Sequence, residues 1–357
     1  MGESSLLNQV KFQFTGENPG LREDLSAVHL STDGYLWLGC DEGINIERLK
    51  LINLETKDTF GEHKSFNVQN YLDLPDGDQT EIDIEGLAES EDYLWLVGSH
   101  NQKRKSVKPA RSDAENSKRL ATIEAESNRY LLARIPLIKG ELHKTHASPS
   151  DPNQLLSAAV LELTREGNLL IEALVNDSHL GPFIKAGIPS KDNGFDIEGL
   201  AVKNNRIFLG LRGPVLRGWA IILELEVKNT VPSLLKLKRI GDKDRRYKKL
   251  FVNLQGLGIR EVSIEGDDLI ILAGPTMDLD GPVKILRLEN GTNLENESFS
   301  NPTVVMDIPY GDGFDHAEGI TQFTSLSGKP ALLVVYDSPD PKRLVGTQDI
   351  LADVFEL

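Results

Sequence analysis

The sequence predicts an all-β chain: a β-propeller of five (possibly six) four-stranded blades with a helical insertion around residues 152–178. Three observations carry this expectation. A unit rich in Asp, Glu and Gly, followed by an apolar Leu-Trp-Leu-type run, recurs along the chain. Three of the four intervals between its anchors are close to sixty residues. Both chain ends carry short alternating stretches that read as strands. A fixed period of tens of residues is the signature of repeat architectures, and a period near sixty suits a four-stranded blade with generous loops.

The first unit is Asp24-Leu25-Ser26-Ala27-Val28, followed by Tyr35-Leu36-Trp37-Leu38-Gly39. The second is Asp83-Ile84-Glu85-Gly86-Leu87-Ala88, then Tyr93-Leu94-Trp95-Leu96. The third is Asp196-Ile197-Glu198-Gly199-Leu200-Ala201, then Ile207-Phe208-Leu209-Gly210. The fourth is Gly258-Ile259-Arg260-Glu261-Val262, then Leu269-Ile270-Ile271-Leu272. The fifth is Asp315-His316-Ala317-Glu318-Gly319-Ile320, then Ala331-Leu332-Leu333-Val334. The anchors Ser26, Glu85, Glu198, Arg260 and Glu318 stand 59, 113, 62 and 58 residues apart. Short apolar runs bounded by Gly, Asp and Asn read as strands.

The long interval holds two inserts. Residues 101–128 are polar and carry a cluster of Lys and Arg, which reads as a solvated loop or as an electropositive flap. Residues 150–180 read as helical: Asp151 as N-cap, Pro152 in the first turn, then Leu155, Leu156, Ala159, Val160 and Leu163 on one face. A second helix is expected from Leu169. At the ends, Val10–Phe14 and Val354–Leu357 are expected to pair within one blade and close the ring, which removes free sheet edges.

Composition limits the function. The net charge is −16, which argues against general nucleic-acid binding because phosphates would be repelled. No apolar run approaches the ~18–20 residues needed to cross a bilayer. Met1–Leu6 lacks the basic-then-apolar pattern of a leader, and Cys40 is the only cysteine, so no intrachain disulfide forms. A cytoplasmic protein is the expectation, without nucleic-acid or membrane partners.

Propeller geometry concentrates the anchors and the residues after each second strand on one face. Glu85, Glu198 and Glu318 near an axis repel one another and need a cation, a shared proton or a basic partner. Calcium suits oxygen ligands, so the three are candidate metal ligands. Arg260 stands where another Glu is due and can pair with carboxylates instead. A salt-bridge network, a metal site and direct ligand contact all remain open. Arg212 and Arg217, in Gly210-Leu211-Arg212-Gly213-Pro214-Val215-Leu216-Arg217-Gly218, join Arg260 and His100 as candidate ligand-binding residues. His316, beside Asp315 and Glu318, is the candidate proton-transfer residue, with Glu198 its candidate catalytic partner. The ligand expected is an anionic small molecule. A protein partner at the rim is the alternative.

The strings Asp196-Ile197-Glu198-Gly199-Leu200-Ala201, Gly210-Leu211-Arg212-Gly213-Pro214 and Gly258-Ile259-Arg260-Glu261 resemble an uncharacterised bacterial family, catalogued as a domain of unknown function. The resemblance spans nearly the whole chain and implies a propeller without naming an activity. More distantly, the Asp-Ile-Glu-Gly-Leu-Ala units look like those of phytase-like esterase propellers. That likeness implies calcium and acidic residues serving phosphoester chemistry, hence a metal-assisted hydrolase. Ser26 and Arg260 depart from an all-acidic ring.

Overall fold

The computed structural model describes residues 6–16, 19–53, 55–325 and 328–357. Met1–Ser5, most of the segment where no leader is expected, lies outside them. Each repeat forms a four-stranded antiparallel ladder. The first comprises Leu25–Leu30, Tyr35–Cys40, Asn45–Leu51 and Thr59–Asn67. The second comprises Ile84–Ser90, Tyr93–Gly98, Leu132–Ile138 and Ala159–Leu161. Asp196–Lys203, Arg206–Gly213, Trp219–Val231 and Lys248–Asn253 make the third. Gly258–Glu265, Asp268–Gly274, Val283–Leu288 and Thr303–Ile308 make the fourth.

The remaining ladder joins the two chain ends. His316–Thr324, Pro330–Asp337 and Asp349–Glu356 accept Leu6–Gln13 as the outer strand, with Val10 opposite Ala352 and Phe12 opposite Ile350. Val10 and Phe12 are fully buried there, so ring closure is held by apolar packing as well as by backbone pairing. Parallel strand pairs tie neighbouring ladders at their outer edges: Leu6–Gln13 with Thr59–Asn67, and Ala159–Leu161 with Leu234–Leu237.

The innermost strands close on one another. Ser26 Oγ donates to Ile84 O at 2.6 Å, and the Leu200 amide donates to Glu261 at 3.0 Å. Gln322 donates to Ile264 O, and the Leu30 amide donates to Thr321 Oγ1. A Cβ on Gly86 would stand 2.5 Å from Leu200 Cβ, so only glycine lets those two strands approach this closely. Apolar clusters fill the wedges between ladders, with Trp37 and Trp95 among the largest buried side chains.

The expected helix over residues 152–163 is replaced by strands. Leu155–Ser157 pairs with Thr145–Ala147, and Ala159–Leu161 becomes the edge of the second ladder. Asp151 accepts the Asn153 amide in a turn at 3.0 Å instead of capping a helix. Ala159 and Leu161 are fully buried while Val160 is half-buried, a period of two. The apolar spacing fits both periods, and the unpaired edge at Leu132–Ile138 decides for strand. The second helix is present over Leu169–Leu174. The basic insert is built rather than loose. Lys103–Arg104 pairs with Ile123–Glu124 around helix α1 (Asp113–Leu120), which opens with a Ser112–Glu115 capping box. Helices α2 (Leu169–Leu174) and α3 (Gly181–Ala186) cover the second and third ladders. Among the described residues no helix is long and apolar enough to cross a membrane.

Candidate functional site at the axis

In every ladder the register of the innermost pair slips at the anchor. The slips fall between Leu25 and Ala27, Ile84 and Gly86, Ile197 and Gly199, Ile259 and Glu261, and Ala317 and Gly319. The residue skipped each time is Ser26, Glu85, Glu198, Arg260 or Glu318. A bulge leaves one residue unpaired and re-aims its side chain. All five anchors are buried, and four are charged.

Their charges are distributed unevenly. Arg260 Nη1 contacts Glu318 at 2.6 Å and Glu198 at 3.2 Å. Arg212 Nη1 contacts Glu198 Oε1 at 2.5 Å and Asp196 Oδ2 at 3.7 Å, and its Nε donates to Thr276 O. Asn101 donates to Asp196 at 2.8 Å. Arg129 pairs with Asp83, Glu81 and Glu126 and donates to Asn101 at 2.8 Å. Arg212 and Arg260 are thus committed to carboxylates. The salt-bridge network expected as one alternative is present around Glu198 and Glu318.

Glu85 stands outside it. It is 7% exposed and makes no hydrogen bond or ion pair among the described residues. Burial, then the carboxylates of Asp83, Asp41, Glu198 and Glu318, push its pKa well above the usual value. Asp41 is raised in the same way, by burial, Glu318 and Asp83, and its Oδ1 is buried without a donor. Glu318 is pushed up to about 7, chiefly by burial and against the pull of Arg260. Two carboxylate triplets have oxygens within 4.8 Å of one another: Asp41 with Asp83 and Glu85, and Asp41 with Glu318 and Asp337. Both sets offer only hard oxygen donors, and they share Asp41.

His316 sits half-buried at the edge of the second set. Its Nδ1 is 3.9 Å from Asp337 and its Nε2 is 3.2 Å from Asp280. Asp337 first, and then Asp280, raise its pKa. Asp315 turns away to pair with Arg343 at 2.7 Å. His100 is placed differently. Its ring contacts Gly98 O through Nδ1 and Asn168 Nδ2 through Nε2, both at 2.7 Å, and burial holds its pKa at about 4. Both ring nitrogens are used, so this histidine braces Asn168, whose carbonyl caps α2. Arg217 is exposed at φ 51° and forms no ion pair among the described residues. The motif therefore divides: Arg212 reaches the axis and Arg217 does not.

The repeat pattern did not mark Asp83, Asp196, Asn101 or Arg129 as site residues. Asp83 and Asp196 each stand two residues before an anchor Glu in the same Asp-Ile-Glu string, and that spacing was the available signal. Arg129 and Asn101 had none, because they lie at the ends of an insert outside the repeat.

The ring of antiparallel ladders around a charged axis defines a β-propeller protein. The chain belongs to the family described as "Protein of unknown function (DUF3616)", whose model matches residues 24–353. No curated protein matches it. Among solved structures it is similar to selenomethionine-substituted virginiamycin B lyase from Staphylococcus aureus, at 12% identity and a TM-score of 0.37, covering 98% of this chain and 99% of that one. It is also similar to the PQQ-bound aldose sugar dehydrogenase from Streptomyces coelicolor, at 11% identity and a TM-score of 0.35, covering 99% of each chain. A third is Pseudomonas fluorescens PhoX in complex with vanadate, at 11% identity and a TM-score of 0.32, covering 99% of this chain and 75% of that one. These likenesses are too distant to carry an activity across.

Proposed function

We propose that this chain is a five-bladed propeller whose axis binds a divalent cation of the calcium class, and that the cation in turn holds an anionic small molecule. The observation that carries the reading is Glu85, a buried carboxylate without a cationic partner beside the orphaned Asp41 oxygen. An uncompensated buried charge is costly, and a group so placed either stays protonated or meets a cation. Calcium takes about six to eight oxygen ligands. Three carboxylates leave part of that shell for water or for an anion. Arg212 and Arg260 hold the neighbouring carboxylates Glu198 and Glu318 in place.

Saturating calcium is expected to raise the melting temperature measured in EDTA by several degrees, since ligand at a hundredfold excess over Kd adds about 2.7 kcal/mol. Glu85→Gln, a neutral isostere, is expected to melt no lower than wild type in EDTA and to lose the calcium response. No shift with calcium, magnesium or manganese would overturn the reading.

A second reading, metal-assisted phosphoester hydrolysis, is favoured by His316 at the half-exposed end of the Asp41–Glu318–Asp337 set. A cation there would supply Lewis-acid polarisation of the phosphoryl oxygen. His316, facing two carboxylates, would hold a proton for the leaving group. Cation-dependent turnover of p-nitrophenyl phosphate is expected, reduced about 100-fold or more in His316→Ala. Cation binding without turnover would leave a binding protein.

A further inference from the structure

A second charged feature shares no residue with the axis. A cleft of about 650 Å³ opens beside α2 along the outer part of the third ladder. Its walls carry Lys228, Lys236, Lys238, Arg239 and Arg246; against Glu162, Glu172 and the Lys238 and Arg239 partners Glu226 and Asp244 this is an excess of one positive charge on a chain of net charge −16.

The pairing makes that excess costly. Lys228 stands directly opposite Lys236 across the antiparallel pair of Trp219–Val231 and Leu234–Leu237. Like charges so placed repel. Nearer the start of the same long strand a carboxylate separates the cations: Glu224 takes Arg206 at 2.8 Å and Lys248 at 3.4 Å. In the cleft, Lys236 meets Glu162 at 2.9 Å and Lys238 meets Glu226 at 3.0 Å. Lys228 and Arg246 have no ion pair among the described residues. Leu169 and Leu237 supply apolar wall, which focuses the field of the cations into the concavity.

We propose that this cleft binds a small polyphosphate-class anion. The volume falls within the usual range of small-molecule sites, about 300–1,000 Å³. The cations come from two strands and the loop after them, so a ligand with several separated negative groups engages more of them than a single phosphate can. The concavity favours a compact anion over an acidic peptide.

The test is titration calorimetry of the whole chain with sodium tripolyphosphate at low salt, in EDTA so that the axial site takes no part. Tripolyphosphate is expected to bind more tightly than inorganic phosphate and to weaken as salt screens the charges. The double variant Lys228→Ala, Arg246→Ala is expected to lose at least about tenfold in affinity, as removal of charge-assisted contacts implies. Its melting temperature should not fall, because neither side chain has a partner to lose and the Lys228–Lys236 repulsion is relieved. Arg217→Ala, an exposed cation elsewhere, should bind like wild type. Absence of binding, undiminished binding by the double variant, an equal loss in Arg217→Ala, or tighter binding of hexaglutamate than of tripolyphosphate would each overturn the proposal.

Discussion

Arg260→Met is expected to lower stability by about 3–5 kcal/mol near pH 7.5, the usual cost of stripping the partner from a buried charge. Arg260 is 8% exposed and is the cation that bridges Glu198 and Glu318. Without it Glu198 keeps Arg212, but Glu318 loses its ion pair and faces Asp337 and Glu198 with only the more distant Arg212 to offset them. Methionine fills part of the space and supplies no donor. The loss should depend on pH in a defined direction. Native Glu318 titrates at about 7, above its ordinary 4.5, so its ionisation costs stability as pH rises from 4.5 through 7. Arg260 reduces that cost. The penalty of the variant is therefore largest above pH 7 and shrinks on acidification toward pH 5, where Glu318 is neutral in wild type and variant alike. Urea denaturation at several pH values measures it. Arg217→Met serves as the control, with a change within about 0.5 kcal/mol. An equal effect in the two variants would remove the network account.

Asp177→Ala is the other large effect, again about 3–5 kcal/mol, and it tests how the helical insert is fastened. Asp177 and Lys249 both have fully buried side chains and lie 2.6 Å apart. Asp177 also accepts from Tyr247 Oη at 2.7 Å and from the amides of His179 and Leu180. Substitution leaves the Lys249 ammonium with His179 at 2.8 Å and the half-exposed Glu297 at 3.6 Å. The Asp177 carboxyl is held at about 2 against an ordinary 3.8, by Lys249 and Tyr247 overcoming its burial. Its stabilising contribution is present above pH 3.8 and is lost as pH falls through 2. Wild type and variant should therefore converge in stability in strong acid. Hydrogen exchange should show early opening of residues 169–188 in the variant. Uniform opening of the whole ring would show that Asp177 serves the ladders and not the insert.

Some of this was legible in the sequence for a local reason. The ladder pattern follows from period-two burial, and the anchors follow from the glycine after each Glu, because a bulge and a close strand approach both need a small residue there. The pairing of Leu6–Gln13 with Asp349–Glu356 was legible from two short alternating runs. Residues 155–161 were not, because Leu155, Leu156, Ala159 and Val160 satisfy a helical stripe and a strand equally well. The unpaired edge of Leu132–Ile138 lies outside that window.

The site divides along the same line. Glu85 and Glu198 occur in one string, Asp-Ile-Glu-Gly-Leu-Ala, and local chemistry cannot tell them apart. By itself the sequence determined that both would stand on the first strand of a repeat, crowded near the axis; the bulges that re-aim them are a feature of the folded ladders. Only the tertiary structure decided that Glu198 meets Arg212 and Arg260 while Glu85 meets Asp41 and Asp83. The physical reason is that a buried carboxylate takes its ionisation state from whichever charges the fold brings within a few ångströms, and the deciding ones here, Arg260 for Glu198 and Asp41 for Glu85, come from neighbouring ladders 62 and 44 residues away along the chain.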